Sequence, residues 1–183
     1  TSISEKRLSR MSKFKNIVAT HVPSIEDALE TALSLKQRYG VGLVDIVTSQ
    51  YEERLSSKGL HGCRHWERVL LNGLLLEQIL PDYVCADTIY LFALFHDSKR
   101  MRESEDPEHG ARGAAFFNDC VDKGVIVFRE HLGAPNASAI IANVSRACTL
   151  HSANLFDDDP RVAACFDADR LDLERESIYP DRE

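Results

Sequence analysis

Apolar residues recur every three or four positions along most of this 183-residue chain, and this is the spacing of one face of an α-helix. Residues 24–39 illustrate the pattern, because Ala28, Ala32 and Leu35 follow a helix-start signal and Gly40 stands after the last turn. A strand is an alternative only for the short stretch 44–47. The sequence therefore predicts an all-α fold.

Start and stop signals divide the chain into about seven helices. The predicted helices cover about residues 24–39, 43–57, 63–80, 82–96, 106–121, 135–149 and 160–171. Several begin at or near a proline, which fits the first turn of a helix but not its interior. The length is typical of one domain. We expect a single helical domain over residues 21–183, preceded by a basic, flexible segment over residues 1–20.

Composition excludes several kinds of protein. Lys and Arg sum to 22 and Asp and Glu to 29, so the formal net charge is −7, which disfavours binding to long nucleic acids. No apolar run is long enough for a membrane helix. The five cysteines form no Cys-x-x-Cys pair, so a disulfide framework or a thiolate zinc site is not expected. We expect a reducing compartment, most simply the cytoplasm.

Four residues that can bind metals fall on the apolar faces of four different predicted helices, near the helix ends. They are His65, His96, His151 and Asp169. Burying a carboxylate or an imidazole without a partner is costly. One shared metal ion would satisfy all four, as in other helical metal sites. Asp97 follows His96 at a helix carboxyl end, where the helix dipole disfavours negative charge, and a nearby cation would offset this.

A less specific interpretation applies to each residue taken alone. A histidine on an apolar helix face is more often a hydrogen-bonded core residue than a metal ligand, and Asp169 could pair with Arg170 or another arginine. The joint placement of these residues favours a metal over independent structural roles.

Three short stretches resemble the HD-domain superfamily of metal-dependent phosphohydrolases. Residues 65–69 (His-Trp-Glu-Arg-Val) are similar to its His-x-x-Arg-Val, residues 94–97 (Leu-Phe-His-Asp) to its Leu-x-His-Asp, and residues 168–172 (Ala-Asp-Arg-Leu-Asp) to its Ala-Asp-x-Leu-Asp. The resemblance extends over about residues 59–178. It implies an all-helical fold in which His65, His96, Asp97 and Asp169 bind the metal.

The resemblance leaves the number of ions open. Superfamily members with two metals recruit extra histidines between the His-Asp doublet and the last Asp, and His109 and His151 occupy that interval. A binuclear site would use Asp97 as the bridging carboxylate. The chain departs from the family after the doublet, where it has Ser98-Lys99-Arg100 instead of the frequent x-Gly-Lys, and this departure puts the phosphate contacts of that loop in doubt.

The activity implied by the resemblance is hydrolysis of a small phosphorylated compound, most simply a nucleotide. The ion would be Mn, Fe, Co, Ni, Zn or Mg, and Asp97 would help to take a proton from the attacking water. Phosphate charge would need cations near the ligands. The candidates are Lys99, Arg100, Arg112, Arg146 and Arg170, each of which could equally form a surface salt bridge.

Two other functions remain open from the sequence. A binuclear iron site in the same fold could support oxygenase chemistry instead of hydrolysis. A non-catalytic signalling module could retain the fold and a nucleotide pocket, although the complete ligand set argues against it.

Overall fold

The computed structural model describes residues 22–128, 137–154 and 156–173, and all regular secondary structure in these ranges is helical. The all-α prediction is confirmed. The seven helices are α1 (Ile25–Tyr39), α2 (Gly42–Glu52), α3 (Cys63–Ile79), α4 (Ala86–Phe95), α5 (His109–Asp122), α6 (Ala137–Leu150) and α7 (Pro160–Arg170). Within the described ranges, no helix has the length and apolar character needed to cross a membrane. The predicted basic segment 1–20 lies outside the described residues.

Helix α4 is the centre of the fold. Every residue from Asp87 to Phe95 is buried, as expected for a helix that is apolar on all sides. It packs against α3, α6 and α7, and more lightly against α1, α2 and α5. Asp87 is the one charged residue of α4, and Arg38 Nη1 at 2.6 Å and the Tyr39 hydroxyl at 2.7 Å donate to its carboxylate. The carboxyl end of this helix, which carries His96 and Asp97, is therefore held in the interior.

Glycines allow α5 to approach its neighbours closely. A Cβ atom on Gly110 would lie 2.2 Å from the Cys148 carbonyl oxygen, and one on Gly113 would lie 2.4 Å from the Phe95 carbonyl oxygen. Neither gap has room for a side chain. The first turns of α5 therefore pack directly on the backbones of α6 and of the end of α4.

The predicted start of the fifth helix at residue 106 is wrong, since α5 begins at His109. Asp106 does not cap the helix. Its carboxylate instead accepts hydrogen bonds from the Met101 backbone N–H at 2.8 Å and from Arg112 Nη2 at 2.6 and 2.7 Å. Asp106 thereby ties the loop that follows the His-Asp doublet to α5.

The second predicted helix, 43–57, is too long, because α2 ends at Glu52. Arg54, just beyond it, donates to the Gln50 carbonyl oxygen and, through Nε at 3.2 Å, to the Arg100 carbonyl oxygen. This arginine therefore connects the end of α2 to the same loop. The fourth helix starts four residues later than predicted, at Ala86, because a turn follows Pro81. The predicted start of the sixth helix lies outside the described residues.

Candidate metal centre

Among the described residues, seven side chains that could bind a metal meet at one end of the helical bundle. They are His61, His65, His96, Asp97, His109, His151 and Asp169. Two of them directly follow α4, one begins α5, one directly follows α6, one lies in the turn before α3, one lies in the first turn of α3, and one lies in the last turn of α7. The helix ends therefore bring together residues that are far apart in the chain.

The first group of donor atoms lies on one side of Asp97. His65 Nε2 is 2.9 Å from His96 Nε2 and 3.2 Å from Asp169 Oδ1. Asp97 Oδ2 is 3.6 Å from the Nε2 atoms of both histidines. Two donors bound at about 2.1 Å to one ion would be about 3.0 to 3.4 Å apart, depending on the bond angle. The observed spacings are close to those of a coordination sphere.

The second group lies on the other side of the same carboxylate. His109 Nε2 is 2.9 Å from His151 Nε2 and 3.2 Å from Asp97 Oδ1, and His151 Nε2 is 3.9 Å from that oxygen. Each oxygen of Asp97 therefore faces a different pair of histidines. A carboxylate in this position can bridge two ions.

The hydrogen bonds of the first histidine pair determine where its protons are. His65 Nδ1 is 2.8 Å from Asp172 Oδ2, and His96 Nδ1 is 3.1 Å from the carbonyl oxygens of Phe92 and Ala93. Carbonyl and carboxylate oxygens only accept, so both Nδ1 atoms carry hydrogen. In the neutral rings, the two Nε2 atoms then face each other with their lone pairs.

The second pair follows the same rule. His109 Nδ1 donates to the Asp106 carbonyl oxygen at 2.5 Å, and His151 Nδ1 donates to the Cys148 carbonyl oxygen at 2.8 Å. Again the two Nε2 atoms face each other, and that of His109 also lies 3.2 Å from Arg100 Nη1, which can donate to it. Lone pairs this close repel unless a cation or a proton lies between them. Metal-binding histidines are typically oriented by such a bond from the other ring nitrogen.

The ionisation of the groups suits a cation. Burial lowers the pKa of His96 to about 3 and also lowers the pKa of His151, so both rings are neutral near pH 7. Burial alone would raise the pKa values of Asp97 and Asp169. The surrounding histidines, with Arg100 beside Asp97, outweigh burial and hold both values below the ordinary range. Two carboxylates are thus ionised beside the neutral rings of His96 and His151 in the interior, and these buried groups could hold a metal ion.

The sequence analysis did not assign two of the neighbouring groups. His61, given there no role, lies in the turn before α3, and its Nδ1 is 3.0 Å from Asp97 Oδ2. Asp172 accepts from His65 and, at 2.5 Å, from Arg68 Nε. His61 precedes both the predicted helix and α3, so helical spacing to His65 could not have identified it. Asp172 lies 107 positions from His65, so no local pattern connects them.

Only two of the five candidate phosphate-binding cations line a cleft next to the donor groups. Arg100 and Arg170 line a cleft that opens onto the donor groups. Lys99 donates to Gln50 and lies 4.2 Å from the centre of the Phe116 ring. The remaining two form ion pairs, Arg112 with Asp106 and Arg146 with Asp157, and do not line the cleft.

The cleft has a volume of about 300 Å³. Its lining consists of His61, Asp97, Arg100, His109, His151, Ser152, Ala153, Asn154, Asp169, Arg170 and Leu173. This size is at the lower end for small-molecule sites. The donor groups are therefore open to a small ligand from one side.

Comparisons of the chain with protein-family models, with curated proteins and with solved structures found no match in any of the three.

Proposed function

We propose that the protein is a metal-dependent phosphohydrolase of the HD type that acts on a small phosphorylated molecule, most simply a nucleotide. The observation that carries the proposal is the pair of opposed imidazoles on each side of Asp97, together with a cleft that Asp97, the second imidazole pair and two arginines line. The short stretches that resemble the HD superfamily contain four of the donor residues. They do so in the order expected of that superfamily.

The donor set fits a divalent ion. Imidazole nitrogens and carboxylate oxygens suit Mn²⁺, Fe²⁺, Co²⁺, Ni²⁺ and Zn²⁺, and the carboxylates also suit Mg²⁺. His65, His96, Asp97 and Asp169 would hold one ion, and Asp97, His109 and His151 a second. A bound ion of this kind lowers the pKa of water and polarises a phosphoryl oxygen.

The side chains around the donors would bind the phosphate group and accept the proton of the attacking water. Arg100 and Arg170 line the cleft and would offset the charge of a phosphate group. His61 Nδ1 donates to Asp97 Oδ2 at 3.0 Å, which holds the carboxylate in one orientation. Asp97 would accept a proton from the attacking water, and the buried position of this pair would limit competition from bulk solvent.

The size and charge of the molecule favour a small substrate. A cleft of about 300 Å³ has the size of a small-ligand site. The net charge of −7 also opposes long polyanions. Asp97 and Asp169 line the same cleft as the two arginines, so a bound divalent ion would supply the net positive charge that attracts a single phosphate ester.

The proposal is tested by metal analysis together with a phosphate-release screen. Protein prepared without chelator should contain one or two equivalents of divalent metal and should release phosphate from some nucleotides or sugar phosphates. Asp169→Asn and His96→Ala should lose most of the metal and reduce kcat/KM by at least about a hundredfold. Asp158→Asn is the control, because it makes the same change of charge at an exposed side chain just before the same helix.

Other outcomes would identify a different function. Metal-loaded protein that releases no phosphate from any compound in the screen would contradict hydrolysis. If that metal is a mixed-valent iron pair that consumes oxygen, the oxygenase alternative replaces the proposal. Full activity in Asp169→Asn would show that the site is assigned incorrectly.

A further inference from the structure

We infer that Arg100 competes with a second metal ion, so that the arginine must leave before the second ion can bind beside His109. The inference rests on the metal centre of the proposed function. Arg100 Nη1 lies 3.2 Å from Asp97 Oδ1 and 3.2 Å from His109 Nε2. These are two of the three donor atoms that the second ion would use, and His151 Nε2 supplies the third.

The lone pair of His109 cannot serve both partners. His109 Nδ1 is 2.5 Å from the Asp106 carbonyl oxygen, so it carries the hydrogen and Nε2 has the only available lone pair. That lone pair either accepts from the Arg100 guanidinium or coordinates an ion. Arginine keeps its hydrogens at every physiological pH, so Arg100 cannot become a neutral neighbour of the ion.

Charge repulsion also prevents Arg100 and a second ion from occupying these positions together. An ion bound at about 2.1 Å to both Asp97 Oδ1 and His109 Nε2 would lie within about 4 Å of Arg100 Nη1, whatever its direction from the two donors. A charge of +1 would then face a charge of +2 in a region where little water screens them. The centre therefore binds the guanidinium or the second ion, but not both in these positions.

The other contacts of Arg100 favour its displacement. The residue is 9% exposed. Its Nε is buried without a hydrogen-bond partner among the described residues, and its Nη2 is 3.5 Å from the Ser104 carbonyl oxygen. Few strong bonds are lost when the side chain moves. The adjoining cleft, which Arg100 lines, offers water to the unsatisfied nitrogen.

The first side of the centre does not have this competitor. No arginine or lysine has a hydrogen bond or ion pair with His65, His96 or Asp169 within the described ranges. The natural protein should therefore bind one ion tightly and a second ion more weakly.

The test is a titration of metal-free protein with Co²⁺, followed by calorimetry and by the visible absorption of the bound ion. We expect Arg100→Gln to lower the Kd of the second ion by about tenfold or more, because a like charge has been removed. The Kd of the first ion should change much less. Adding His109→Ala to Arg100→Gln should abolish the second equivalent, which would locate the gain at this histidine.

Arg102→Gln is the matched control. It removes the same charge from the same loop, but Arg102 is exposed, so neither Kd should change. Circular dichroism and thermal unfolding would establish that each variant is folded.

A second Kd in folded Arg100→Gln that is unchanged or higher would overturn the inference, as would two equally tight ions in the natural protein. If neither protein binds Co²⁺, both the inference and the proposed function fail. If the natural protein hydrolyses phosphate esters with metal while Arg100→Gln leaves the second Kd unaltered, only the inference fails.

Discussion

The residue that controls the charge of the proposed centre is His65. Burial alone would lower its pKa, but hydrogen bonds with Asp169 and Asp172 and the charge of Asp97 outweigh burial and raise it. A proton on His65 Nε2 would lie between this atom and its neighbours His96 and Asp169. In the absence of metal, that proton supplies the positive charge that the opposed donors require.

This leads to a pH-dependent metal affinity. An ion at the first group must displace the His65 proton, so its affinity is highest above the raised pKa and falls as the pH is lowered through it. Because the pKa is above 6.5, the loss should begin above pH 6.5 and approach about tenfold per pH unit below the pKa. Titrations with Co²⁺ between pH 8.5 and 6, in buffers of different ionisation enthalpy, would measure both the affinity and the proton release. A Kd that is constant over this range would contradict the assignment of the proton to His65.

At the scale of elements, the critical feature is the close packing of α5 on the end of α4. The Gly113 position has no room for a Cβ, since the Phe95 carbonyl oxygen would be 2.4 Å away and the His96 carbonyl oxygen 3.0 Å away. Both contacts are with backbone, which cannot move aside like a flexible side chain. This packing sets the distance between His109, at the start of α5, and the groups that follow α4 and α6.

We expect Gly113→Ala to destabilise the protein by about 1–3 kcal/mol, the usual cost of overpacking. The displacement of α5 should also weaken metal binding at the second group of donors more than at the first. Gly42→Ala is the control, because a Cβ there has nothing within 4 Å and should change stability by less than about 1 kcal/mol. Urea unfolding gives both free energies. Equal midpoints for the two variants would show that α5 is not packed as described.

At the scale of the whole molecule, five of the helices end at one place, and the ionised carboxylates there must be compensated. A metal bound to the folded chain alone would stabilise the entire domain, because the donors come from residues 65 to 169 and are not assembled in the unfolded chain.

Removal of metal should therefore lower the Tm. At a free metal concentration of 100 times the Kd, one ion contributes about 2.7 kcal/mol. We expect a chelator to lower the Tm of the natural protein and excess metal to restore it. Asp97→Asn should show neither response, because Asp97 faces both groups of donors. Calorimetric scans with and without chelator make the measurement, and a metal-dependent Tm that persists in Asp97→Asn would contradict a shared carboxylate.

Much of the fold could be predicted because helical periodicity is local. The predicted boundaries of the third and seventh helices agree with α3 and α7 to within one residue. The errors have local and long-range sources. The late start of α4 follows from the turn after Pro81, and Asp106 bonds to Arg112, six residues away, rather than capping α5. Arg54 bonds to the distant loop after α4, and that partner cannot be identified from neighbouring residues.

By itself, the sequence determined the helices and which histidines and aspartates lie at their ends on apolar faces, because both follow from residue spacing within one element. Tertiary structure alone decided the division of the donors between the two oxygens of Asp97 and the contact of Arg100 with His109. It also decided which arginines line the cleft. These features depend on distances between side chains on different helix ends and loops, and such distances are set by how the helices pack.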